Sequence, residues 1–193
     1  MHDIKTINDA IKFYRSPEKQ RQVNDIKRKL DGGVQVTFKN DNYVNALCLS
    51  EVLFSQTKDS LRIITGSNID LFFGVLRKFI SEACDRVRKA GGKLNILLLN
   101  KDKSRNKEDL RQSIIGVGFK PEDIVICDIS QDAALRHYII SDEKHYRIEE
   151  PHGKLDPDAR VDSVKADVVF NDKHAHTLAA DFDDLFAQIK EKI

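Results

Sequence analysis

The chain has 193 residues, 40% of them hydrophobic and 33% charged, which suffices for one substantial core and is short for two. Lys plus Arg number 32 against 31 for Asp plus Glu, a formal charge of +1, so composition supplies no global electrostatic footprint for nucleic acid or an anionic membrane, and any polyanion contact must be local. The longest apolar stretches, Leu71 to Leu76 and Leu94 to Leu99, fall far below the roughly 18 residues of a membrane span.

The opening Met-His-Asp-Ile-Lys-Thr lacks the layout of a secretory signal. Cys48, Cys84 and Cys127 are odd in number and widely spread, and a soluble protein of a reducing cytoplasm is expected. Residues 1–33 read as an N-terminal helical segment ahead of a single α/β domain, 34–193. Within the segment two short helices are separated by Ser16-Pro17, with Ser16 as N-cap and Pro17 as the first helical residue, and Asp31-Gly32-Gly33 ends the second. Val34 to Phe38 alternates as a half-buried strand, Asn40-Asp41-Asn42 is turn chemistry, and Tyr43 to Phe54 carries Val44, Leu47, Cys48, Val52 and Phe54 along one helical face.

The most regular stretch follows. Leu61 to Thr65 is a β-branched run, and Ile69 to Lys89 repeats apolar residues at helical spacing. Ala90-Gly91-Gly92 stops the helix, and Leu94 to Leu99 is a nearly continuous apolar strand, which together make a βαβ unit with the second strand covered on both faces. Ser104 to Ile115 reads as a helix and Ile124 to Ile129 as the next strand. Leu135 to Ser141 and Lys144 to Glu149 form a hairpin around the turn Asp142-Glu143. Pro151 to Ser163 is a polar loop, long enough to suggest a gate. Ala166 to Phe170 is a last strand and Asp172 to Lys192 a closing helix.

Two places concentrate chemistry. Gly66-Ser67-Asn68 lies between a strand and a helix start, where free N–H groups and the helix dipole favour a phosphate; a capped strand-to-helix turn has the same signature. The hairpin gathers Arg136, His137, Lys144, His145 and Arg147, a set able to clamp a phosphate, with His137 or His145 as base or nucleophile; cross-strand pairing to Asp142, Glu143 and Glu149 is the plainer alternative. No histidine pair has zinc-helix or zinc-ribbon spacing, so no metal and no cofactor is expected. Asp181, Asp183 and Asp184, and Asp156 with Asp158, read as surface charge.

The order strand, long helix, strand, helix, strand, hairpin, loop, strand, helix, with the passages Leu135 to Glu149 and Asp167 to Asp184, resembles one half of the phospholipase D superfamily fold across roughly residues 50–193. The resemblance implies an α/β architecture with a mixed, mostly parallel sheet and helices on both faces. Catalytic halves of that family carry His-x-Lys, four residues, then Asp, the His accepting the phosphoryl group. Placing the motif's Asp on Asp142 puts its Lys position on His137 and its His position on Leu135; placing its His on His137 puts Ile139 and Lys144 where Lys and Asp belong. Either placement leaves the motif broken, and a degenerate active site implies a non-catalytic binding module. Its partner is then another protein or a phosphate-bearing ligand, held by Arg136, Lys144, Arg147, Gly66, Ser67 and Asn68 together with the loop from Pro151 to Ser163. Net charge disfavours nucleic acid, and no membrane is expected. Single-half members pair as homodimers, which implies a homodimer here. The alternatives are a phosphodiesterase or nuclease using His137 or His145, and a nucleotide-sensing domain binding at Gly66 and Asn100 to Lys103.

Overall fold

The computed structural model describes residues 4–66, 70–130, 133, 136–152 and 155–192. Among these, seven strands form one sheet in the order β1-β7-β6-β5-β2-β3-β4: β1 Val36–Asn40, β2 Ser60–Gly66, β3 Lys93–Asn100, β4 Ile124–Asp128, β5 His137–Ser141, β6 His145–Glu149 and β7 Ala166–Phe170. The helices are α1 Ile7–Tyr14, α2 Pro17–Leu30, α3 Tyr43–Gln56, α4 Asp70–Lys89, α5 Lys107–Ile115 and α6 His174–Lys190. No helix among the described residues is long and apolar enough to cross a membrane.

The sheet is mixed. β2, β3 and β4 run parallel, as the crossovers through α4 and α5 require. The pairings of β5 with β2, β6 with β5, β7 with β6 and β1 with β7 are antiparallel, so parallel character is confined to the βαβαβ portion and does not extend through most of the sheet. A hairpin inserted beside β2 reverses direction by construction, and β7 and β1 follow it.

Strand alternation assigns the two faces. Leu61, Ile63, Leu94, Ile96, Ile139 and Val168 point to the side covered by α1 to α5, whereas Leu97, Ile140, Tyr146 and Val169 meet Ala175, Ala179, Phe182 and Phe186 of α6. The apolar run of β3 is thus buried on both faces. Against the one-faced stripe expected for α3, nearly every residue from Tyr43 to Phe54 is buried, because α1 and α2 lie over its outer side as an extra layer. Ser16 caps α2 through the Lys19 N–H, with Pro17 at the first helical position. The layers are tied by Glu51, whose carboxylate accepts from Tyr14 Oη at 2.5 Å and Lys27 Nζ at 3.0 Å.

Two acidic residues hold the scaffold. Asp183, expected as surface charge, takes both Arg62 Nε and Nη2 at 2.9 Å and so fastens α6 to β2 through a guanidinium that is 3% exposed. Asp142 accepts from the backbone N–H groups of Lys58, Asp59 and Ser60 at 2.7 to 3.0 Å, fixing the entry to β2. The hairpin turn is three residues long, Asp142 to Lys144, one more than the sequence suggested, with Asp142 and Glu143 at φ of 54° and 52°. That extra residue sets the register to Ser141 opposite His145 and His137 opposite Glu149, which puts His137 and Ile139 on the same face as Arg147 and Glu149.

The segment 151–163 is not a free flap in its second half. Ile7 N–H donates to Ala159, Asn8 N–H to Pro157 and Val161 N–H to Lys5, at 2.9 to 3.0 Å, and Leu155, Ala159 and Val161 pack on the core. A loop with two carbonyls and one N–H bonded to the N-terminal residues cannot swing as a whole.

Asp142→Ala removes the acceptor for three backbone amides and is expected to cost about 2 kcal/mol in urea denaturation, with Asp142→Asn losing roughly half as much because one oxygen and the left-handed preference remain. Equal stability of Asp142→Ala and the parent chain would show that the turn does not depend on this carboxylate.

Candidate functional site

A cavity of about 560 Å³ opens on the α1 to α5 side of the sheet, at the carboxyl ends of β2 and β3. Its floor is Ile63, Thr65, Gly66 and Ile139. Tyr43 and Ala46 at the start of α3 and Asp70, Phe72 and Phe73 at the start of α4 form one wall, so the N-termini of two helices frame the space. Lys101, Asp102 and Arg105, from the segment after β3, form the rim; Arg105 Nη2 reaches Asp70 at 2.5 Å. The opposite wall is His137 from β5, Arg147 and Glu149 from β6, and Pro151, His152 and Leu155 from the segment that follows.

Glu149 is the centre of this wall. Its residue is 5% exposed, and its carboxylate pairs with Arg147 through Oε2 and with His152 Nε2 through Oε1, while His137 Nδ1 lies 3.2 Å from the same Oε1. Burial alone would raise its pKa; the Arg147 charge and the two imidazole bonds outweigh that and hold the carboxyl well below its ordinary range. The two imidazole rings meet edge to face with centroids 5.0 Å apart. The Arg147 guanidinium stacks over the Phe72 ring at 5.6 Å from its centroid and is 3% exposed.

The protein does not satisfy every polar atom here: among the described residues, Arg147 Nε on this wall and the Tyr43 hydroxyl on the opposite one are buried without a hydrogen-bond partner. Burial pushes the Tyr43 pKa up, the Glu149 charge adds to the rise and the Arg147 charge opposes it, so the hydroxyl stays a neutral donor.

The residues anticipated from the sequence divide. His137, Arg147 and Gly66 come together on the cavity wall; a β-carbon at Gly66 would sit 3.6 Å from His137 Nε2. Lys101 and Asp102 lie on the rim, beyond the carboxyl end of β3. Arg136 and Lys144 are exposed and apart from the wall. His145 shares the face of Arg147 but lies beside the turn, sealed against Phe170, where its Nδ1 accepts from the Asn171 N–H at 3.1 Å. Burial lowers its pKa, and Lys144 acts the same way against the opposing Asp142 charge. Ser67, Asn68 and Leu135 lie outside the described residues.

Glu149 and Tyr43 were not anticipated as site residues, and His152 only as part of the loop from Pro151 to Ser163. The alternation His145, Arg147, Glu149 puts the carboxylate on the arginine's face, a signal readable in advance; Tyr43 and His152 are brought in only by the tertiary arrangement.

No protein-family model and no curated protein matches the chain. Among solved structures it is similar to TrmBL2, an archaeal chromatin protein whose structure shows a mode of DNA binding, with a TM-score of 0.49 and 16% identity over 91% of this chain and 61% of that one. It is similar also to Nuc, a phospholipase D family member from Salmonella typhimurium, with a TM-score of 0.48 and 13% identity over 78% of this chain and 93% of that one. Polyphosphate kinase from Porphyromonas gingivalis gives 0.45 and 11% over 92% of this chain and 28% of that one. Overlaps of this size assign no chemistry to this chain.

Glu149→Gln strands the buried Arg147 charge, and Arg147→Met strands Glu149; each is expected to lose about 3 to 5 kcal/mol in denaturant melts, with the double variant losing less than the sum. Additive losses would mean that the two side chains are not coupled. His145 titrates below its unfolded value of 6.5, so the unfolded chain binds the extra proton first. Its contribution is complete above that value and is lost as pH falls through the lower folded pKa; His145→Gln should flatten the decline of stability between about pH 7 and 5. An unchanged slope would assign the decline to other groups.

Proposed function

We propose that the chain is a non-catalytic binding module of phospholipase-D-like build that takes a small phosphate-bearing molecule into the cavity between β5, β6 and the starts of α3 and α4. The observation that carries this reading is the pair of buried donors without acceptors among the described residues, Arg147 Nε and Tyr43 Oη, on opposite sides of a cavity of ligand size. A donor left unpaired in an apolar setting costs stability, and a ligand whose anionic oxygens reach these donors relieves that cost. Lys101 and Arg105 on the rim and the two helix N-termini add favourable potential, against the carboxylates of Asp70, Asp102 and Glu149. The aromatic and aliphatic part of the wall, Phe72, Phe73, Ile63 and Ile139, offers an apolar surface for the body of the same molecule.

Support for a binding role over a catalytic one comes from the way the polar groups are committed. The imidazoles of His137 and His152 are both turned onto Glu149, and a carboxylate held ionised by Arg147 orients them as a fixed frame. Asp142, which the sequence resemblance aligns with the Asp of the family motif, serves the β2 entry at the far end of the hairpin. The dimer, the cytoplasmic location and a protein partner are further expectations of the same reading.

Tyr43→Phe separates binding from folding. The variant is expected to be at least as stable as the parent by thermal melting, since it deletes an unpaired buried hydroxyl, and to bind phosphate compounds about tenfold more weakly in calorimetric titration. The titrants are inorganic phosphate and a set of mononucleotides and sugar phosphates. Absence of binding by every one of them, or equal affinity in Tyr43→Phe, would overturn the assignment.

A further inference from the structure

We propose that His137, Glu149 and His152 form a binding site for a divalent first-row transition ion of the zinc class, open to the cavity. One donor atom from each of the three lies within 4.8 Å of the other two, and His137 Nδ1 and His152 Nε2 both approach Glu149 Oε1. They come from β5, from the last residue of β6 and from the segment just after it, and the His137 to Glu149 register pairing fixes two of them on a single rung of the sheet.

The donor chemistry selects the ion. Two imidazoles and one carboxylate match borderline ions such as zinc or cobalt, whereas magnesium and calcium take oxygen-only sets. Three protein donors leave a fourth position, and it faces the cavity because all three residues line it. The outer arrangement also suits a metal centre. Arg147 holds Oε2 of Glu149, the oxygen not offered to the ion, and so orients the carboxylate from behind. Gly66 keeps the side of the His137 ring away from Glu149 clear of a side chain.

The charges also balance in a useful way. Arg147 neutralises Glu149, and Arg105 pairs with Asp70, so a bound dication adds its full charge to the wall. An anionic oxygen then has the ion, Arg147 Nε and Tyr43 Oη as neighbours. This consequence for the ligand rests on the phosphate reading above; the ion site itself rests on its own three donors.

The test uses the full chain, stripped with chelator and titrated with cobalt(II) alone, no phosphate compound being present. The expected result is one equivalent bound with an intense visible spectrum of a four-coordinate ion, displaced by zinc, and a rise in melting temperature. His137→Ala and His152→Ala, both at partly exposed positions, should keep the parent's circular dichroism and weaken binding by more than about 100-fold, more than loss of an outer-shell partner costs. His176→Ala, whose imidazole lies 76% exposed beside Glu143, should bind as the parent does. Lack of stoichiometric binding, retention of binding in His137→Ala combined with His152→Ala, or a thiolate charge-transfer band abolished by Cys127→Ser would each overturn the proposal.

Discussion

Everything around the cavity follows from a carboxylate buried on the packed face of a sheet. Glu149 faces the side of the sheet that holds the larger core, where an ionised group is tolerable only with countercharge and hydrogen bonds at hand. Arg147, two residues earlier and on the same face, supplies the charge, and His137 and His152 approach the remaining oxygen. Meeting that demand fixes the local sequence. The hairpin must have the three-residue turn that sets His137 opposite Glu149, and the segment after β6 must return close enough to deliver His152. Phe72 covers the guanidinium, and Tyr43 closes the α3 end. What is left over is an arginine Nε and a phenol hydroxyl, buried beside the cavity without a partner among the described residues.

The N-terminal helices take part in the same arrangement. α1 and α2 bury the outer side of α3 and are tied to it through Glu51, which positions Tyr43 at the other end of that helix. The residues at the start of α1 also accept and donate the backbone bonds that pin 157–161, so the wall carrying Pro151, His152 and Leu155 is anchored on its far side. Stability and site geometry are therefore linked through elements that touch no ligand.

Much of the layering was legible in the sequence. The continuous apolar run of β3, the helical period of α4, the Ser16 cap and the hairpin all follow from local periodicity and cap chemistry, which need no knowledge of neighbours. The rest depended on contacts between distant segments. α3 reads as amphipathic until α1 and α2 are laid over it, and Asp183 reads as solvated until Arg62 appears beneath it. In the site, a two-residue turn at Asp142-Glu143 would have set His137 against Ile148; the third turn residue shifts the pairing by one and brings Glu149 into place. His137 and Arg147 were visible as chemistry, and strand alternation put Glu149 on the face of Arg147, but its pairing with His137 was obscured by a single residue of register. Tyr43 had no local signal, and His152 only its place in the polar loop from Pro151 to Ser163.

The unpaired donors beside the cavity, Arg147 Nε and Tyr43 Oη, are read as ligand contacts. A crystal structure of the chain grown with inorganic phosphate tests that reading most directly. A tetrahedral anion is expected inside the cavity, within hydrogen-bond distance of both Arg147 Nε and Tyr43 Oη. An anion found elsewhere, with those two groups bonded to protein acceptors, would contradict it.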